Sequence, residues 1–167
     1  KDILSASRQD RGYCLVLGSG RGSLVYELAK QSHLQVIGVE SDRSLVQQAR
    51  KSLDAAGLAG RTAIHHFNPS EKLPYTDYMF NIIVVDDSAN DARVQVDRAE
   101  VTRLLRPGNG IAFLNQLTSP IQRRVLAQSG DWSHMYANPS NTACSNDRLV
   151  NGQMLLQWFG PPGPRNM

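Results

Sequence analysis

Two cysteines and four histidines are all that these 167 residues offer to thiol or soft-metal chemistry. Cys14 falls in the first apolar run and reads as a small buried apolar residue, and Cys144 falls in a polar, turn-rich stretch. Their spacing describes neither a disulfide framework nor a zinc site. No apolar run is long enough to cross a bilayer, so no membrane segment is expected in this chain. Charge of one sign is not in surplus either: 18 Lys and Arg stand against 15 Asp and Glu, a net of +3. Arg93, Arg98, Arg103 and Arg106 recur along one predicted helix and read as a solvated face. A nucleic-acid footprint needs a denser basic patch with interleaved aromatics, so no nucleic-acid partner is expected. There is no internal repeat, no cysteine–histidine pair and no metal-spaced cluster, so no metal is expected. The chain starts at Lys1 without a signal-like segment and ends in Pro161-Pro162-Gly163-Pro164-Arg165-Asn166-Met167, which reads as a piece cut from a longer protein. Its compartment stays open, with the cytoplasm as the default.

What is present is a regular alternation. Lys1 to Arg11 is a polar, partly helical lead-in. Tyr13 to Leu17 is continuously apolar, as a strand buried on both faces must be. Ser23 to Gln31 suits a helix, Gln35 to Val39 a second strand, and Asp42 can cap a helix carrying Leu45, Val46, Ala49 and Leu53 at helical spacing. Gly57 ends that helix. Thr62 to Phe67 and Asn81 to Val85 read as the third and fourth strands, Arg93 to Leu105 as a helix stopped by Pro107-Gly108, and Ile111 to Leu114 as the fifth strand. Ile121 to Gln128 reads as a short helix and Gln153 to Phe159 as strand-like. Strands alternating with helices predict an α/β fold: an open, mainly parallel sheet with helices on both faces, Rossmann-like in plan.

The chemistry concentrates at the first two strand ends. Leu17 runs into Gly18-Ser19-Gly20-Arg21-Gly22, and the second strand runs into Glu40. Glycines at such a bend let backbone approach a ligand closely. The helix that follows points free N–H groups into the crevice. A carboxylate at the next strand tip can accept both hydroxyls of a ribose. Together they predict a pocket for a nucleoside-bearing cofactor. His65 and His66 fall on opposite faces of the third strand, so at most one can face that pocket.

Four pieces in order resemble the class I S-adenosylmethionine-dependent methyltransferases: the run Leu15 to Gly22, the run Val36 to Asp42, the approach Glu71 to Val85, and the turn Leu104 to Gly110. The resemblance covers about two thirds of the chain. It implies S-adenosylmethionine as cofactor and S-adenosylhomocysteine as product. Gly18, Ser19 and Gly20 would run beneath the methionine end, with Gly22 in the same cofactor-binding loop; Glu40 would hold the ribose, Ser41 and Asp42 would sit by the adenosine, and Asn68 with Pro69 near the adenine. Asp86 and Asp87 would face the transferring methyl group and are the weak catalytic candidates, although an N-cap role for Asp87 or Ser88 competes. With Asn90 and Asp91 they faintly resemble the metal-using O-methyltransferases, but the spacing is not that family's, so the metal expectation stays at none. Three positions depart from the family: Val16, Asn68 and Asn81 stand where acidic residues are usual, which implies less negative charge around the sulfonium. The usual last two strands are missing or reduced.

Residues 1–129 are therefore expected to form the methyltransferase-like domain, and 130–167 an extension. Asp131 to Val150, with Leu156-Gln157-Trp158 beyond, resembles the lead-in to a quinoprotein-like (PQQ-like) β-propeller, which implies an intramolecular contact with a propeller outside this chain. Trp132, Trp158 and Tyr136 would pack against the sheet edge or that propeller. Two other readings stay open. The domain can be an inactive structural or interaction module of a propeller protein. Gly18-Ser19-Gly20-Arg21-Gly22-Ser23 with Glu40 can also be read as the NAD site of an oxidoreductase. The methyl acceptor has no signature.

Overall fold

Apolar runs become the centre of a sheet here because each is buried on both faces. The computed structural model describes residues 2–68, 71–86, 97–114 and 120–150. Its contacts divide into two compact units, Lys1–Val125 and Leu126–Met167. In the first unit the elements run α1 (Asp2–Ser7), β1 (Arg11–Leu17), α2 (Ser23–Gln31), β2 (His33–Glu40), α3 (Arg43–Ala55), β3 (Thr62–His66), β4 (Ile82–Val85), α4 (Arg98–Leu104), β5 (Ile111–Phe113) and β6 (Ile121–Gln122). The sheet order is β3-β2-β1-β4-β5-β6. All pairs are parallel except β5 with β6. The α/β fold expected from the alternation is the one found.

The period of two splits each strand between two cores. Cys14 and Val16 of β1 pack with Val25, Leu28, Val46 and Ala49 of α2 and α3. Leu15 and Leu17 pack the other way, with Leu73, Phe80, Val101 and Leu104. Helix α3 starts where Asp42 accepts the N–H groups of Ser44 and Leu45. Its Arg50 donates Nε and Nη2 to the Ile64 carbonyl, which covers an outward backbone group of the edge strand β3. Arg61 donates to the Ala29 and Ser32 carbonyls, placing a cation on the last carbonyls of α2.

The second face is closed by an ion pair. Arg103 on α4 gives Nε and Nη2 to the two oxygens of Glu100 at 2.8 and 2.6 Å, and Nη1 to Asp77 at 2.7 Å. It also donates to the carbonyls of Tyr75 and Leu73. Glu100 in turn accepts the Leu73 N–H at 2.9 Å. The segment before β4 is thus clamped onto α4. From the other side, Tyr75 meets His65 Nδ1 at 2.7 Å and sets its ring edge against Phe80. Burial pushes the Tyr75 phenol up to about 12.

Two elements differ from the sequence reading. Helix α4 begins at Arg98, after Asp97, which is extended and caps it by accepting the Ala99 N–H; the expected helix over 93–105 does not run through Asp97, and 93–96 lie outside the described residues. Ile121 and Gln122 are a strand, not the start of a helix over 121–128. Periodicity favours a helix after Pro120, but the open edge of β5 offers a ladder: Gln122 pairs with Ile111, and Arg123 donates its N–H to the Gly110 carbonyl. The link from Leu114 to Pro120 is shorter than the dozen or so residues a parallel crossover needs, so the last strand must run antiparallel. The expected strand over Gln153–Phe159 lies outside the described residues.

In the second unit, described as far as Val150, turns replace regular elements. Asp147 accepts the N–H groups of Gly130, Leu149 and Val150, each at 2.8 Å, and these bonds hold its carboxyl below the usual range. Trp132, Met135 and Tyr136 are exposed.

Two outcomes follow from the packing. Glu100 sits below the ordinary carboxylate range, chiefly through its bond to Arg103. Its stabilisation is therefore present above an unfolded pKa of about 4.3 and is lost as pH falls through the lower folded value. Glu100→Gln should cost about 1–3 kcal/mol at pH 7 in urea titrations, and that difference should shrink towards zero below pH of about 4. In the native chain only one of the two thiols should react with Ellman's reagent: Cys144 is exposed, while burial pushes Cys14 up to about 12. Denaturation should release the second.

Candidate functional site

Strand order decides where a crevice can form. β1 has β2 on one side and β4 on the other, so the chain leaves β1 at the point where the connections reverse, and ligands of open α/β sheets bind outside the carboxyl ends there. The registers pair Leu17 with Val39 and Val85, and Glu40 with His66. One line across the strand ends therefore reads His66, Glu40, Gly18, Asp86, spanning about 14 Å at the usual strand spacing.

The glycine loop is tied to β2 through its own amides. Gly18 and Ser19 both donate N–H to the Val39 carbonyl, at 2.9 and 3.0 Å. Gly20 donates to Glu40 Oε2 at 2.8 Å. Glu40 is 8 % exposed, and its Oε1 accepts the Asp42 N–H at 3.0 Å and the Ser41 hydroxyl at 3.4 Å. Gly18 and Gly20 both have positive φ, 71° and 52°, which L residues rarely adopt. A Cβ on Gly20 would meet nothing within 4 Å, so this face of the loop looks into open space.

The predicted site residues sort themselves by place. Gly18, Ser19, Gly20, Glu40 and Ser41 come together as one loop-and-strand-end cluster. Gly22 caps α2 with φ 84°, and a Cβ there would stand 3.1 Å from that of Ala49, so it serves the contact of α2 with α3. Asn68 is exposed two positions beyond β3, and its carbonyl accepts the Glu71 N–H. Asp86 is half-buried at the end of β4, with its N–H on the Leu17 carbonyl. Pro69 and Asp87, like Ser88, Asn90 and Asp91, lie outside the described residues. Among the described residues no group of His, Cys, Asp or Glu is arranged to hold a metal.

Two of the three departures from the acidic pattern do not border this crevice. Asn81 pairs level with Tyr13 at the far end of the sheet: its Oδ1 accepts the Tyr13 N–H, its Nδ2 donates to Gln9, and its oxygen occupies the space a Cβ on Gly12 would need. Gly18 is about 16 Å further along the strand, so the expected loss of charge beside a sulfonium does not apply to Asn81. Val16 is fully buried among the side chains of the α2 and α3 layer, where an unpaired carboxylate would be costly to desolvate.

Sequence reasoning gave Gly38 no role of its own, and left His66 only as one of two strand histidines of which at most one could face the pocket. A Cβ on Gly38 would fall 2.8 Å from Ser19 Cβ and Oγ and 2.6 Å from Ile64 Cδ1: the loop rests on a strand position that has no side chain. A lone glycine inside a strand was the available signal. Ser19 Oγ, packed there, is buried with no hydrogen-bond partner among the described residues. His66 Nε2 lies 2.9 Å from the Ser41 carbonyl, a contact with no local sequence signature.

Comparison with known proteins agrees with this fold. A family model described as a methyltransferase domain matches residues 14–108. A solved Methanococcus maripaludis protein assigned as an S-adenosyl-L-methionine-dependent methyltransferase is 26% identical, with a TM-score of 0.60 over 68% of this chain and 52% of its own. A methyltransferase from Geobacter sulfurreducens, solved with S-adenosyl-L-homocysteine, is 24% identical, with a TM-score of 0.53 over 66% of this chain and 45% of its own. Geranyl diphosphate C-methyltransferase from Streptomyces coelicolor shares the fold at 14% identity, with a TM-score of 0.59 over 67% and 43%. This chain spans about half the length of the solved proteins it matches. Neither an oxidoreductase nor an inert module gains support from these matches. On the family match over residues 14–108 and the sheet that carries it, the chain belongs to the methyltransferase domain family.

Proposed function

We propose that the chain binds S-adenosylmethionine at the carboxyl ends of β2, β1 and β4 and serves as the methyltransferase domain of a longer protein. The observation that carries this reading is the buried Glu40 carboxylate, joined to the Gly20 amide at the switch point of the sheet. A carboxylate offers about four acceptor positions. Gly20, Asp42 and Ser41 use three, and the Ser41 bond is long at 3.4 Å. One acceptor position is left and a second is weakly held, which suits the two hydroxyls of a ribose. The open space beside Gly20 suits the methionine half. The residues fit the cofactor.

The loop amides also weigh against a dinucleotide. A pyrophosphate needs free N–H groups at the bend, and those of Gly18, Ser19 and Gly20 are already taken by Val39 and Glu40. In the cofactor reading Glu40 orients the ribose, Ser41 and Asn68 with Pro69 border the adenosine, and Gly18 to Gly20 form the floor under the methionine. S-adenosylmethionine supplies a methyl group on a cationic sulfur that is already a good leaving group. The protein's task is then to position the acceptor in line and to exclude water. Asp86, with Asp87 beside it in sequence, stands at the strand end next to Gly18 and is the candidate to border the methyl group and to take a proton from an acceptor that carries one.

We further infer that residues 130–167 lead into a quinoprotein-like propeller. Support comes from the motif between Asp131 and Val150 and from the exposure of Trp132 and Tyr136, which offers an aromatic surface for a following domain to cover. With Trp158 replaced by Phe, Trp132 becomes the sole tryptophan. Its emission should be quenched readily by acrylamide in this chain and protected in a longer chain carrying the propeller; equal quenching in both would remove the support.

Isothermal titration with S-adenosylmethionine and S-adenosylhomocysteine should give saturable binding. Glu40→Gln should weaken it about ten- to hundredfold, the worth of hydrogen bonds to a charged group. Gly38→Ala should push the Ser19 turn outward, costing about 1–3 kcal/mol of stability by overpacking and weakening binding with it. No heat with either ligand, from a sample shown to be folded, would overturn the reading.

A further inference from the structure

Glu40 is gripped from within its own turn, but something must hold that turn. Its backbone leaves β2 at Glu40 and enters α3 after the Asp42 cap, so Ser41 is the residue through which the chain changes direction. Two bonds, from the last residue of β3 and the residue after it, fix this corner. Phe67 donates its N–H to the Glu40 carbonyl at 3.0 Å. His66, opposite Glu40 in the parallel register, sets Nε2 2.9 Å from the Ser41 carbonyl. A carbonyl can only accept, so Nε2 must carry the proton, and the imidazole keeps this bond whether neutral or charged.

We propose that His66 is a positioning residue for cofactor binding: it holds the Ser41 carbonyl and so presents the Glu40 carboxylate to the ribose. The proposal rests on the cofactor reading of the crevice and adds to it a residue from β3 with no role in the glycine loop. Rotation of the Ser41 peptide would carry away the Asp42 N–H, which bonds Glu40 Oε1 at 3.0 Å. The carboxylate would then be free to turn from Gly20, its other backbone donor. Both Glu40 oxygens thus depend on a corner whose one side-chain brace from the neighbouring strand, among the described residues, is His66. Because His66 is itself exposed, its replacement removes a hydrogen bond without opening a cavity. Phe keeps the ring and loses the donor; Gln keeps a donor near the position of Nε2.

The test uses the full chain in two readouts. Without ligand, amide exchange by NMR should be faster at Gly20 and Asp42 in His66→Phe than in the wild type, with His66→Gln close to wild type. With S-adenosylhomocysteine, His66→Phe should raise Kd about five- to tenfold, His66→Gln should restore most of the loss, and the double variant with Glu40→Gln should bind no more weakly than Glu40→Gln alone. Unchanged exchange and Kd in His66→Phe would overturn the proposal. So would a His66→Phe penalty that persists in full in the Glu40→Gln background, since the effect would then not pass through Glu40. If the wild type takes up no S-adenosylhomocysteine, the cofactor reading itself fails; the exchange rates then still decide whether His66 braces the corner.

Discussion

The bond between the Gly20 amide and the Glu40 carboxylate is the constraint on which this structure turns. It joins the ends of two parallel strands at the place where the sheet reverses its winding. It also gives the buried Glu40 carboxylate a backbone donor, which offsets part of the cost of its desolvation. With the Val39 carbonyl taking the amides of Gly18 and Ser19, the loop is fastened to β2 before any ligand arrives. Gly38 makes that possible, since any side chain there would occupy the space of Ser19. A preformed site of this kind spends less ordering entropy when a ligand binds.

Everything else in the first unit keeps those strand ends in register. The α2 and α3 layer packs one face, and α4 with the clamped segment around Leu73 and Tyr75 packs the other. Arg103 does for that segment what a helix would do elsewhere. It satisfies two backbone carbonyls and the Asp77 carboxylate of a stretch without regular structure, and is itself held by Glu100 of its own helix. At the opposite end of the sheet, Asn81 fastens β4 to the start of β1 and to Gln9. Its side-chain amide is suited to this because it offers an acceptor to Tyr13 and a donor to Gln9 together, which a carboxylate cannot do. The apparent loss of an acidic residue at that position is a change in sheet anchoring, remote from the crevice at the strand ends.

Family and fold set the cofactor reading, but not the acceptor. One sheet hosts many chemistries through the segments added around it, and among the described residues of the first unit little stands beyond the sheet and its two layers. Among the described residues, the short antiparallel β6 is the last strand on that edge of the sheet.

By itself the sequence determined whatever depends on neighbours along the chain. Unbroken apolar runs marked the buried parallel strands, helical spacing marked α2 and α3, Asp42 marked a cap, and three alternate glycines followed by a carboxylate at the next strand tip marked the crevice. Each of these is a local preference of backbone or side chain, readable within one turn or one strand. Tertiary structure alone decided the partners that lie far apart in the chain. These are the β6 ladder on the edge of β5, the seat of Ser19 on Gly38, the anchoring of Asn81 and the brace from His66 to Ser41. Such contacts exist only once strand register is set, because a shift of one residue would turn every one of those side chains to the other face of the sheet.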